Sequence, residues 1–154
     1  MWTRREKILV IALAAVLIGA GVYALVSSYR IRNTGRLIGV GVRVYWDPNC
    51  TSLCSSIDWG TLSPGDLAGV TVYIKNTRDV DVVLSLTTGN WTPANVSAYL
   101  TLSWDYGNQT LAPGQVQKVQ MELYCDPRTD WSTAFSFDIT IRATEVKRVS
   151  GQIA

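Results

Sequence analysis

Between Leu37 and Ala143 the apolar side chains return at every second residue, in seven stretches separated by turn residues, and no stretch there repeats with a 3.6-residue period. Alternation of this kind belongs to strands with one face on a core and the other in water. Ile38, Val40, Val42, Val44 and Trp46 alternate with Gly39, Gly41, Arg43 and Tyr45, and Asp47-Pro48-Asn49 ends the run. Ile57 and Trp59 form a short stretch bounded by Gly60, followed by the turn Ser63-Pro64-Gly65-Asp66. Val70, Val72 and Ile74 come next, then the turn Asn76-Thr77-Arg78-Asp79, then Val82, Leu84 and Leu86. Gly89 to Ala94 holds too many breakers to continue a strand. Ala98, Leu100, Leu102 and Trp104 resume the pattern; Val119, Met121, Leu123 and Cys125 follow, and Phe135, Phe137, Ile139, Ile141 and Ala143 complete it. The expected fold is therefore all-β: an antiparallel two-sheet immunoglobulin-like sandwich of about seven strands.

Ahead of that body stands a different pattern. Ile8 to Val26 carries no charge, amide or proline. At ~1.5 Å per residue this run is long enough to cross a bilayer core of ~30 Å. The expected organisation is 1–27 membrane anchor or signal segment, 28–36 juxtamembrane linker, 37–143 sandwich ectodomain and 144–154 polar tail, with residues 8–26 in the lipid bilayer. Retention as an anchor and cleavage as a signal peptide both fit, since Val22-Tyr23-Ala24 is a small-residue site behind a basic segment. Basic residues flank the run on both sides, so orientation rests on the body.

Three features of the body point outward, to a single-pass protein of the cytoplasmic membrane with its C-terminal domain outside the cell. Four of the six asparagines, Asn49, Asn90, Asn95 and Asn108, stand in Asn-x-Ser/Thr sequons, candidate glycosylation sites that a Thr-rich sheet also generates by chance. Lys and Glu are few beside Thr, Ser, Trp and Tyr. Cys50 and Cys54 share a loop while Cys125 lies far along the chain, so an oxidising compartment would join Cys125 to one of the pair; alternatively Cys125 is a small core residue.

Charge and chemistry exclude several functions. From Leu37 to Ala143 six Lys/Arg face ten Asp/Glu, and the remaining basic residues gather at the edges, which gives no footprint for nucleic acid. The chain has no histidine, so no blue-copper centre, conventional Cys/His zinc site or His-dependent triad is available; no metal, cofactor or catalytic residue is expected. Asp47 with Asp58 and Asp126 with Asp130 are the carboxylate pairs a glycosidase would need, but all sit where Asp serves turns. No Asp-x-Asp-x-Asp run marks a calcium loop. Of the six tryptophans, Trp46 and Trp104 fall on inward positions. Trp59, Trp91 and Trp131 fall at strand ends or in loops, where an indole stacks on a sugar, anchors a partner or closes the end of the sandwich.

At Val44-Tyr45-Trp46-Asp47, Ile57-Asp58-Trp59-Gly60, Ser63-Pro64-Gly65, Val72-Tyr73-Ile74-Lys75-Asn76, Asn90-Trp91-Thr92-Pro93-Ala94-Asn95 and Leu102-Ser103-Trp104-Asp105 the chain resembles a group of uncharacterised archaeal proteins with one membrane segment and a β-sandwich. The Pro-Gly turn leading into a strand that ends in Lys-Asn resembles, more distantly, the TasA/camelysin-like sandwiches, some of which build filaments by strand donation. The expected function is a cell-surface structural or adhesion module whose partners are other surface proteins, copies of itself or glycans. Two alternatives accompany it. In one, cleavage after Ala24 frees an arm, Leu25 to Arg36, in which Tyr29 and Ile31 stand at strand spacing to complete a neighbour's sheet and form an extracellular filament. In the other, the domain is a carbohydrate-binding module reading sugars through Trp59, Trp91 or Trp131.

Overall fold

The computed structural model describes residues 33–128 and 134–147; the apolar run 8–26, Tyr29, Ile31, Asp130 and Trp131 lie outside them. No helix among the described residues is long and apolar enough to cross a membrane. The alternating stretches become eight strands in two four-stranded sheets. Sheet 1 contains β1 (Thr34–Val40), β3 (Ser56–Asp58), β5 (Val82–Thr92) and β8 (Ser136–Glu145), ordered β3-β1-β8-β5. Sheet 2 contains β2 (Val42–Tyr45), β4 (Leu67–Asn76), β6 (Leu100–Trp104) and β7 (Val116–Cys125), ordered β2-β4-β7-β6. A 3-10 turn, Ala94–Ala98, joins β5 to β6. Every neighbouring pair is antiparallel except β1 with β8, which run parallel from Thr34↔Ser136 to Val40↔Arg142.

The core lies between the sheets and takes the inward positions that alternation assigns. Val72 and Ile74, Val119, Met121 and Leu123, and Ile139 and Ile141 are each 0 % exposed, so both sheets contribute to one apolar layer. Each such side chain contributes about 1.5–3 kcal/mol relative to exposure.

Two departures from simple alternation shape the molecule. The first is Gly41. A single strand from Ile38 to Trp46 was expected; instead the chain changes sheets at Gly41, whose φ of +76° is accessible to glycine and costly for side-chain-bearing residues. The change of sheet shifts the inward parity. In β2, Val42 and Val44 are buried, while Val40 at the end of β1 is 37 % exposed. Trp46, expected in the core, is 39 % exposed because the β2 chain turns at Asp47 before its ring reaches the interior.

The second is Asn90. The breaker-rich segment after Leu86 was expected to be irregular, yet β5 continues to Thr92 through a bulge, pairing Gly89 with Asp138 and Thr92 with Ser136. Asn90 occupies the extra position at φ +51°, a left-handed conformation that Asn tolerates better than most residues. The bulge resets the alternation, so Trp91 turns inward and stacks on Phe137 with ring centroids 4.0 Å apart and planes 7° from parallel.

A buried amide ties one end of the sandwich together. Asn76 is 1 % exposed. Its Nδ2 donates to the carbonyls of Val80, Leu111 and Ala112 at 2.9, 3.1 and 3.1 Å, and its Oδ1 accepts the Arg78 N–H at 2.9 Å. Loop segments also cover the strand edges. Val82 exchanges both backbone bonds with Leu111, and the Leu84 N–H donates to the Tyr106 hydroxyl, which in turn donates to the Gln109 carbonyl. On the β2 edge, Cys54 N–H donates to Val44 O and Trp46 N–H to Ser52 O. Covering edges in this way removes templates for strand addition. The C-terminal segment, expected to leave the sandwich as a polar tail from Thr144 onward, stays in β8 to Glu145, and Val146 N–H donates to Asp81 O.

Candidate functional site

The described residues among those singled out by the sequence do not converge on one site. Trp59 is 6 % exposed and belongs to the core, so it offers no ring to a ligand; its position at the end of β3 closes the sandwich instead. Its indole N–H is buried without a hydrogen-bond partner among the described residues and lies over Gly35, where an added Cβ would stand 3.0 Å from Nε1 and 2.8 Å from Ile139 Cδ1. Trp91 is half-buried with one face on Phe137. Trp104 is half-buried against the core and tilted onto Tyr106, with centroids 5.1 Å apart. Among the described residues Trp46 is the exposed indole, and inward parity had hidden it.

The four sequon asparagines all occupy exposed positions. Asn49 lies in the turn after β2, Asn95 in the 3-10 turn, and Asn108 in the β6–β7 loop at φ +59°. Asn90 differs in being engaged, its Nδ2 donating to Asp138 Oδ2 at 2.7 Å. For Asn90 and Asn108 the left-handed backbone supplies a reason for asparagine that is independent of glycosylation.

Of the three cysteines, Cys54 and Cys125 are buried and Cys50 is half-buried. Register separates two of them widely: Cys54 bonds to Val44, which pairs with Ile74 and through it with Gln117, whereas Cys125 stands eight residues further along β7. That is about 26 Å of strand, against a limit of about 7 Å between Cα atoms for a disulfide. Burial pushes the Cys54 thiol up to about 11, which keeps it protonated and unreactive.

Of the carboxylates weighed for catalysis, the three described ones serve the backbone. Asp47 accepts the N–H groups of Asn49, Thr51 and Ser52, the Ser52 bond at 2.7 Å being the largest cause that holds its carboxyl below the usual range. Asp58 accepts Gly60 N–H at 2.9 Å, and Asp126 is held to about 2 by the guanidinium of Arg128. Asp79, Asp81 and Glu145 line an open cleft of about 420 Å³, yet no group of three His, Cys, Asp or Glu among the described residues is placed to hold a metal ion.

The outward faces carry the remaining chemistry. On sheet 1, Asp138 is 8 % exposed beneath a bidentate Arg36, with Nε to Oδ1 at 2.8 Å and Nη2 to Oδ2 at 2.7 Å, and Asn90 completes the set. The Arg36 bond, then the Asn90 bond, hold this carboxyl at about 2. On sheet 2, burial of Val42, Val44, Val72, Ile74 and Val119 turns Arg43, Tyr45, Tyr73, Lys75 and Lys118 outward. Register sets them side by side: Tyr45↔Tyr73↔Lys118 forms one row and Arg43↔Lys75 the next. Directly paired residues bring their Cβ atoms to about 4.5–5.5 Å. The chain matches no protein-family model, and a search of curated proteins finds no match.

Proposed function

We propose that this protein is a membrane-anchored, immunoglobulin-like sandwich that works outside the cytoplasmic membrane as a cell-surface structural or adhesion module. The observation that carries this reading is the junction of two incompatible patterns: the apolar run ends at Val26, and Asn33, only seven residues later, is already a buried structural residue of the sandwich. Asn33 Nδ2 donates to Gly60 O at 2.8 Å and its Oδ1 accepts Phe135 N–H at 3.2 Å, so the sandwich is tied down at the first residue the structure describes. Asp47, Asp58, Asp126 and Asp138 are engaged by turns and guanidinium groups, in keeping with a scaffold rather than an enzyme.

Protease protection of sealed cells or spheroplasts, combined with N-terminal sequencing of the mature chain, tests the reading. A body digested only from outside, on a chain that retains Met1 or Trp2, agrees with it. A body reached only after lysis rejects it. A mature N-terminus at Leu25 would favour the donated-strand alternative, in which Tyr29 and Ile31 leave with the freed arm. An acceptor edge for that arm is clearest at β6, since loops cap β2 and the start of β5.

A further inference from the structure

Three of the six basic residues between Leu37 and Ala143 gather on one face. Arg43, Lys75 and Lys118 stand on three adjacent strands of sheet 2, with Arg43 directly paired to Lys75 and Lys118 directly paired to Tyr73. Like charges opposite each other across a ladder destabilise it, so folding alone does not favour this arrangement. The ion pairs among the described residues are Arg36–Asp138, Arg78–Glu145 and Arg128–Asp126, and none includes these three cations. On the same outward face of β7 the nearest acid to Lys118 is Glu122, four residues away and therefore about 13 Å along the strand. Arg43 and Lys118 are exposed, and Lys75 is half-buried. The paired tyrosines, Tyr45 and Tyr73, are half-buried within the same rows.

We propose that the outer face of sheet 2 binds an acidic polysaccharide, its carboxylates or sulfates taken by Arg43, Lys75 and Lys118 and its sugar rings laid on Tyr45 and Tyr73. Unpaired cations beside flat aromatic side chains complement a ligand with regularly spaced anions and apolar ring faces. The flatness of a sheet suits a chain lying across the strands. A bilayer would be met better by apolar side chains projecting from a loop. Nucleic acid, with its denser charge, is opposed by the acidic balance of the body, six basic residues against ten acidic ones. The proposal rests on the surface-module reading for its setting, but its binding test does not depend on where the protein resides.

The test uses the full chain reconstituted in neutral phosphatidylcholine nanodiscs, with polygalacturonate, neutral dextran, anionic phosphatidylglycerol vesicles and single-stranded DNA as probes. Polygalacturonate should bind and dextran should not, with affinity falling as salt is added. The triple variant Arg43→Gln/Lys75→Gln/Lys118→Gln should weaken polygalacturonate binding by about tenfold or more with no fall in melting temperature, and Tyr45→Ser/Tyr73→Ser by several-fold with the same salt dependence. Arg142→Gln, a cation on the outer face of sheet 1, should leave binding unchanged. Equal loss in Arg142→Gln, absence of polygalacturonate binding, or stronger binding to vesicles or DNA would each overturn the proposal.

Discussion

The two outward faces of this sandwich are built by the same alternation and end with opposite electrostatics. On sheet 1, Arg142 aside, the charges at the centre of the face satisfy one another: Arg36, Asp138 and Asn90 meet on three adjacent strands, and the carboxylate is nearly enclosed. On sheet 2 three cations lie on adjacent strands and take part in none of the ion pairs found among the described residues. A face whose charges are internally matched holds strands together; a face that leaves like charges adjacent has affinity to offer a partner. The contrast also separates what the domain needs to fold from what it presents to its surroundings.

The largest effects should fall under both faces alike. Ile139→Ala beneath sheet 1 and Leu123→Ala beneath sheet 2 each remove a fully buried side chain and should each cost about 2–5 kcal/mol in denaturant unfolding. A loss under about 1 kcal/mol at Leu123 would mean that the layer beneath the cationic face is not a packed core, and the comparison would fail. Asn76→Ala should come next, at about 2–3 kcal/mol, because the carbonyls of Val80, Leu111 and Ala112 lose a shared buried donor. Gly41→Ala should cost roughly 1–2 kcal/mol through its left-handed backbone, with the new Cβ 3.2 Å from that of Ala143.

Acid should then distinguish the faces. The Asp138 carboxyl titrates at about 2 when folded, below its ordinary value near 3.9 in an unfolded chain. Its stabilising contribution is therefore present in full above about pH 4 and is lost as pH falls toward 2. Asp138→Asn should lower the melting temperature at neutral pH and reduce the acid-induced fall, leaving the part due to Asp126. A wild-type melting temperature that does not change between pH 5 and pH 2 would remove the claim that sheet 1 is electrostatically self-satisfied. Smallest of all, Arg43→Gln or Lys75→Gln should change stability by no more than about 0.5 kcal/mol, and toward greater stability, since each relieves repulsion. A clear destabilisation would assign these cations a structural role and remove the contrast.

How much of this was legible beforehand varies by element. The stretches ending at Ile74, Cys125 and Ala143 keep their inward residues in the fold, because alternation is a property of the local backbone. Val40 was misread because its alternation continues through Gly41 while the chain does not remain in one sheet, and Trp46 because β2 turns at Asp47 before the next inward position is reached. Asn90 was read as a sequon within a broken segment; a left-handed bulge keeps the strand going and sends its amide to Asp138. The errors at Val40 and Asn90 share a cause: a glycine or asparagine signals an irregularity without saying whether it ends a strand, kinks it or shifts its parity.

Period, turn chemistry and the absence of histidine thus determined an all-β body with two-faced strands and no His-based chemistry, since each depends on residue type and short-range spacing. Tertiary structure alone decided which strands became neighbours. Arg36 meets Asp138 across 102 positions, and Arg43 meets Lys75 only because β2 pairs with β4. Strand order and register follow from how the whole apolar layer packs, and charge complementarity on the outer faces is set by that register.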